Sequence, residues 1–196
     1  MAHLNPLSKG LHPELEPKFD YYKKTRGFIP NSILTMQRRP EIAKAFMQLN
    51  HVILYEGTVS EELKMLISLI SSQVSGCKYC QAHMANLSKI YKASKEKIVA
   101  VWEFQTSPLF TPAERAALNL SFKGALVPNA ATIADFDEAK KYFDESQIVE
   151  IVASIALFGY LNRWNDTMAT DLEEYPKKIA EKLIGSKGWN VGKHKG

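Results

Sequence analysis

The sequence predicts an all-α protein of eight or nine helices, on three observations. No stretch alternates apolar and polar residues like a strand over five or more positions. Apolar residues recur at three- and four-residue intervals in segment after segment. Helix caps and breakers stand between the segments: Ser60, Ser94 and Thr111-Pro112-Ala113-Glu114 at starts, Gly27, Gly57 and Gly76 at ends.

Taken in order, Leu15 to Arg26 forms the first helix, and Gly27-Phe28-Ile29-Pro30-Asn31 is a turn before a short apolar segment, Ser32–Met36. Pro40 suits a first helical position, and Ile42, Ala43, Phe46, Leu49, Ile53 and Leu54 carry the helical period to Tyr55. Ser60 caps the next helix, with Glu61 and Glu62 at its positive end and Leu63, Leu66, Ile67, Ile70 and Val74 on one face. A helix containing both cysteines runs to about Tyr91, and Ser94 caps Lys95–Glu103. The Thr111–Glu114 capping box opens a helix to about Gly124. A helix at Ile133–Phe143 precedes the longest one, Ser146 to about Thr170, framed by Asp144 and Gln147; Tyr175–Leu183 is the last.

The chain has 196 residues, 45% of them hydrophobic, enough for one domain with a sizeable core. Residues 1–11 read as an arm, 12–184 as a single helical domain, and 185–196 as a glycine- and lysine-rich tail that either folds over a neighbour or is disordered. The net charge of +4 is scattered, and no basic stripe argues for nucleic acid. No run approaches the ~18 apolar residues of a membrane-spanning helix. Met1 to Gly10 lacks the apolar core of a signal peptide, which leads to the expectation of a cytoplasmic protein.

The chemistry concentrates in Ser71 to Leu87, which holds both cysteines, Cys77 and Cys80, and His83 three residues later. In a reducing compartment this spacing is more often catalytic or metal-binding than structural. If a helix starts near Cys77, both sulfurs sit in its first turn on one face. The unpaired N–H groups there stabilise a thiolate. His83 is placed to take a proton from a thiol, directly or through water. Structural zinc wants four ligands, and Cys77, Cys80 and His83 offer three, so a metal site would have to be completed from another subunit. No GxGxxG or Walker motif calls for a nucleotide, and the dithiol needs no metal, flavin or nicotinamide.

Gly27-x-x-Pro30-Asn31, the helix from Pro40, the helix Leu63–Val74 and Gly76-Cys77-x-x-Cys80-x-x-His83 together resemble the alkylhydroperoxidase D-like, or carboxymuconolactone decarboxylase, superfamily. Glu150–Ala156 with Asn162-Arg163, and Gly188-Trp189-x-x-Gly192-Lys193-His194, resemble its peroxidase-related branch. The resemblance covers roughly residues 26 to 194. It implies an all-helical fold, assembly into homotrimers or homohexamers, and thiol-dependent peroxidase or disulfide reductase activity in antioxidant defence. It also implies that Cys80 attacks a hydroperoxide and Cys77 resolves. An external dithiol, from a thioredoxin-like or lipoyl-carrying protein, would re-reduce the pair.

Two positions depart from the family pattern. Met65 stands twelve residues before Cys77, where the family usually has the glutamate of the proton relay, and His83 follows Cys80 by three residues where many members have four. Glu62, one turn before Met65 on the same face, is the nearest substitute acid, and Glu150 is another. Two further readings stay open: a non-catalytic redox sensor with a reversible disulfide, and a lyase acting on a small lactone acid, whose acid–base chemistry would not need the dithiol.

Overall fold

The computed structural model describes residues 2–195 and contains no strand among them. Ten α-helices follow in order: α1 Glu16–Arg26, α2 Asn31–Met36, α3 Pro40–Tyr55, α4 Glu61–Val74, α5 Lys78–Ile90, α6 Lys95–Val99, α7 Pro112–Ala125, α8 Ile133–Ala139, α9 Glu145–Met168 and α10 Glu174–Ile184. The helix beyond the predicted nine is α2, whose six residues are too few to show a period. α6 ends at Val99, and Val101–Glu103 continues as a 3₁₀ turn, so the predicted Lys95–Glu103 helix is two pieces.

The helix starts are the ones the caps require. Ser60, Ser94, Thr111 and Asp144 each accept the backbone N–H three residues on, and Thr111 and Asp144 complete capping boxes with Glu114 and Gln147. Gly76, at φ +74°, breaks the chain between α4 and α5 in a conformation that favours glycine.

α4 and α5 form the central hairpin, with α7 and α9 packed on α4 and α10 on α5. Leu63 through Ser72 of α4 are all buried, so this helix has no solvent face over most of its length. Its hydroxyls are therefore all partnered. Ser68 and Ser72 bond back to carbonyls one turn earlier, and the Ser71 Oγ lies 3.0 Å from the Ser121 Oγ of α7. Asn162 of α9 donates to the Ser71 carbonyl at 3.3 Å. Lys64, 1% exposed, is paired at 2.8 Å with Glu150 of α9, whose carboxylate also accepts the Thr58 and Val59 N–H groups.

Both ends of the chain dock on the bundle. In the arm, Leu7 N–H donates to the Leu34 carbonyl at 3.2 Å, and the Gln37 amide donates to Leu7 and Ser8. In the tail, Trp189 Nε1 donates to the Lys78 carbonyl at 3.1 Å, and the Leu172 N–H to the His194 carbonyl at 3.0 Å. Trp189 and His194 are buried against their own chain, which corrects the expectation of a disordered or exchanged tail.

Candidate active site

Cys77 is the N-cap of α5, one position before its first turn, and its sulfur accepts the Cys80 N–H at 3.5 Å. Both cysteines are free thiols. They are also buried, at 0% and 2% exposure. The two sulfurs have different surroundings. Cys80 lines a cavity of about 40 Å³ together with His83, Tyr79, Arg26, Tyr22, Asn165 and apolar side chains including Phe46, Leu54 and Phe158. That space holds a few waters or a small polar head. Cys77 is not part of the lining and lies behind Cys80.

The pair is electrostatically polarised. The Cys80 thiol hydrogen-bonds to Cys77 and, against the opposing effect of burial, draws the Cys77 thiol down to about 6; neighbouring His194 adds to this. Burial and the same hydrogen bond push Cys80 well above the ordinary thiol range. Asn165 of α9 opposes that rise by donating to the Cys80 sulfur at 3.4 Å. Of the two thiols, Cys77 is therefore the easier to ionise and Cys80 the harder.

His83 sits one turn beyond Cys80 on the cavity wall, but its bonded partner is Glu173: Nε2 lies 2.7 Å from Oε2. Glu173 is the N-cap of α10, and its other oxygen accepts the Tyr79 hydroxyl at 2.9 Å and the Asn31 N–H at 2.5 Å. Burial would raise this carboxyl, but the His83 charge and these hydrogen bonds win, and it is held below the usual range. An ionised Glu173 only accepts, so His83 donates Nε2–H to it and Nδ1 is the basic ring atom. Tyr79 stacks on the His83 ring at 4.3 Å and Phe28 packs edge-on at 5.5 Å, which fixes its plane.

The substitute acids named from the sequence lie elsewhere. Glu62 pairs with Lys97 at 3.2 Å, and Lys97 in turn with Glu114 of α7. Glu150 is held by Lys64, and Met65 is fully buried. The carboxylate on His83 is Glu173, which comes from 90 residues further along the chain. No period or motif marks it; its only signal is an acid immediately before a helix start. Asn165 and Asp166 escape sequence reasoning for the same reason; His194 stands in the Gly188–His194 stretch that resembles the peroxidase-related branch, but nothing in that stretch ties it to the thiols.

Arg26 is the remaining charge on the cavity. Its guanidinium lies 4.5 Å over the Tyr22 ring and donates to the Tyr55 hydroxyl at 2.5 Å, with no carboxylate partner among the described residues.

A helical bundle that carries a paired-thiol centre against a small cavity defines a class, and comparison with known proteins makes it specific. The profile of the Carboxymuconolactone decarboxylase family matches residues 40–121. Among solved structures, the debrominase Bmp8 is 37% identical, over 91% of this chain and 96% of that chain, with a TM-score of 0.85. A cysteine-to-alanine variant of Bmp8, solved in complex with 2,3,4-tribromopyrrole, superposes with a TM-score of 0.86. An uncharacterized peroxidase-related protein from Ralstonia eutropha JMP134, with an alkylhydroperoxidase AhpD core, shares the fold at 22% identity, over 87% of this chain and 92% of that chain, with a TM-score of 0.78. The uncharacterized protein YdfG of Bacillus subtilis (strain 168) is 25% identical over 112 residues, which is 56% of this chain and 74% of YdfG. The chain belongs to the alkylhydroperoxidase D-like, or carboxymuconolactone decarboxylase, superfamily. Its likeness to an enzyme over nearly its whole length places it among the enzymes of that superfamily.

Proposed function

We propose that the protein is a thiol-dependent peroxidase in which Cys80 and Cys77 cycle between dithiol and disulfide. The observation that carries this reading is the order of the groups: Cys80 on the cavity wall, Cys77 hydrogen-bonded behind it, His83 beside it on the same wall. A hydroperoxide enters the cavity, and the Cys80 sulfur gives up its proton and attacks the distal oxygen. The O–O bond breaks, an alcohol leaves with a proton delivered from the His83–Glu173 side, and Cys80 becomes a sulfenic acid. The Cys77 thiolate then attacks that sulfur, water departs with one further proton, and the disulfide forms. An external dithiol of the thioredoxin or lipoyl class returns two electrons and two protons by exchange. This cycle suits a reducing, cytoplasmic setting and a role in antioxidant defence.

A second reading rests on the debrominase likeness and on the aromatic and aliphatic cavity wall. In it the dithiol reduces a halogenated aromatic: the carbon–halogen bond breaks, halide and a proton leave, carbon gains hydrogen, and the same disulfide forms. Arg26 would favour an electron-rich or anionic ring.

One experiment separates the two. Turnover of cumene hydroperoxide and of a bromopyrrole is measured with dithiothreitol for the wild type, Cys80→Ser and Cys77→Ser. Hydroperoxide turnover that vanishes in Cys80→Ser supports the first reading, and full activity in that variant overturns both. Activity on a lactone acid in the double serine variant would instead support a lyase. Reversible disulfide formation with negligible turnover of either substrate would leave a redox sensor.

Assembly into homotrimers or homohexamers is part of the proposal. Its support is an outer surface on α3 and α9 where Leu49, Val52, Val149 and Tyr160 are exposed.

A further inference from the structure

Cys77 has surroundings of its own, and the peroxidase cycle above leaves them unused. His194, in the C-terminal tail, is 1% exposed and reaches the site because the tail folds back over α5 and α9. Its Nδ1 lies 2.8 Å from the Thr170 carbonyl. A carbonyl only accepts, so Nδ1 carries the hydrogen and Nε2 is the bare nitrogen. That Nε2 is buried and has no hydrogen-bond partner. It faces Asp166 Oδ1 at 3.7 Å, and the Cys77 sulfur, His194 nitrogen and Asp166 oxygen all lie within 4.8 Å of one another. A buried acceptor without a partner is costly, and here it is aimed at a thiol.

We propose that His194, with Asp166 beside it, is the proton acceptor for Cys77 and serves the resolving half of the cycle, so that the site contains two relays, one for each sulfur. This rests on the reading of Cys77 as the resolving thiol. The Cys77 S–H proton passes to His194 Nε2, and the imidazolium so formed is stabilised by the Asp166 carboxylate. When the Cys77 thiolate attacks the Cys80 sulfenic acid, the S–O bond breaks, the S–S bond forms, and the hydroxide that departs takes a proton to become water. His194 returns its proton to that event. His83, on the cavity wall and backed by Glu173, serves Cys80. The ionisable groups facing Cys77 are Cys80 on its own helix, Asp166 on α9 and His194 from the tail. Lys193 holds the far oxygen of Asp166 at 2.8 Å and leaves the near one for His194.

The test uses reduced full-length protein and two readouts. The first is the pH profile of thiolate ultraviolet absorbance in the wild type and in His194→Asn, with Cys77→Ser assigning the signal. The low-pH thiolate should shift upward by about one unit in His194→Asn. The second is dimedone trapping during hydroperoxide turnover: sulfenic acid on Cys80 should accumulate roughly tenfold or more in His194→Asn, with its rate of formation little changed. An unshifted profile, or no extra sulfenic acid, overturns the proposal. Should His194→Asn fail to fold, the wild type decides. By NMR, the His194 ring should hold its proton to a higher pH in the dithiol form than in the disulfide form, and equal midpoints would overturn the assignment. The absorbance and NMR titrations need no substrate, so they stand even if the peroxidase reading fails.

Discussion

Glu173 shows how a site residue can be supplied from far along the chain. The position where the family pattern has its acid is Met65, inside the α4 core, and the carboxylate reaches His83 from the start of α10 instead. Glu173→Gln keeps the shape but loses the charge that orients His83. It should slow turnover by roughly ten- to a hundredfold, with Cys80 oxidation the affected step, as measured by single-turnover kinetics. The same residue gives a pH signature. Its folded value is depressed, so its contribution to stability is present above the ordinary carboxylate range and is lost as the pH falls through the folded value. The stability gap between wild type and Glu173→Gln, measured by urea unfolding, should therefore close on acidification below about pH 4. Cys77, Cys80 and His83 were legible in the sequence because one helix start holds all three. Glu173 and Asn165 were not, since tertiary packing alone brings them there, and His194 stood in a recognisable C-terminal stretch with no sign that it reaches Cys77.

Among the elements, the helices with strong local signals matched their predicted limits best. α3 runs from Pro40 to Tyr55 as its proline and apolar period require, and α9 starts at the Asp144–Gln147 box. α8 stops at Ala139 where Phe143 was expected, because Lys140 to Phe143 close as a turn with Tyr142 and Phe143 both donating to the Ala139 carbonyl. The α3–α4 turn contains the sharpest local constraint. Gly57 sits at φ +93°, and a Cβ there would lie 2.3 Å from the Glu150 carboxylate. Gly57→Ala should therefore cost about 1–3 kcal/mol from the backbone alone, and more through displacement of Glu150. Glu150→Ala leaves Lys64 buried without its charge partner and should destabilise by about 3–5 kcal/mol. Lys64→Met together with Glu150→Leu should recover much of that loss, which chemical denaturation of the three proteins checks.

The molecule as a whole buries its two cysteines inside a helical bundle and closes the site at the back with its own C-terminal tail. The fold class was legible because nine segments of helical period with clear stops, and none that alternates like a strand, permit little else. The docking of the tail was not, because Trp189 and His194 stand among glycines and lysines with no period to announce burial. The exposed apolar side chains of α3 and α9 make assembly a prediction at this scale. Sedimentation should show a trimer or hexamer, and Val149→Lys with Leu49→Lys should give a folded monomer. A wild-type monomer at micromolar concentration would remove assembly from the proposal.

The most direct test of the dithiol cycle is mass spectrometry of the Cys77–Cys80 peptide after one equivalent of hydroperoxide is added to reduced protein without external thiol. The predicted result is stoichiometric loss of two hydrogens and formation of the Cys77–Cys80 disulfide, with one alcohol released per chain. Consumption of the hydroperoxide with both thiols intact would contradict it.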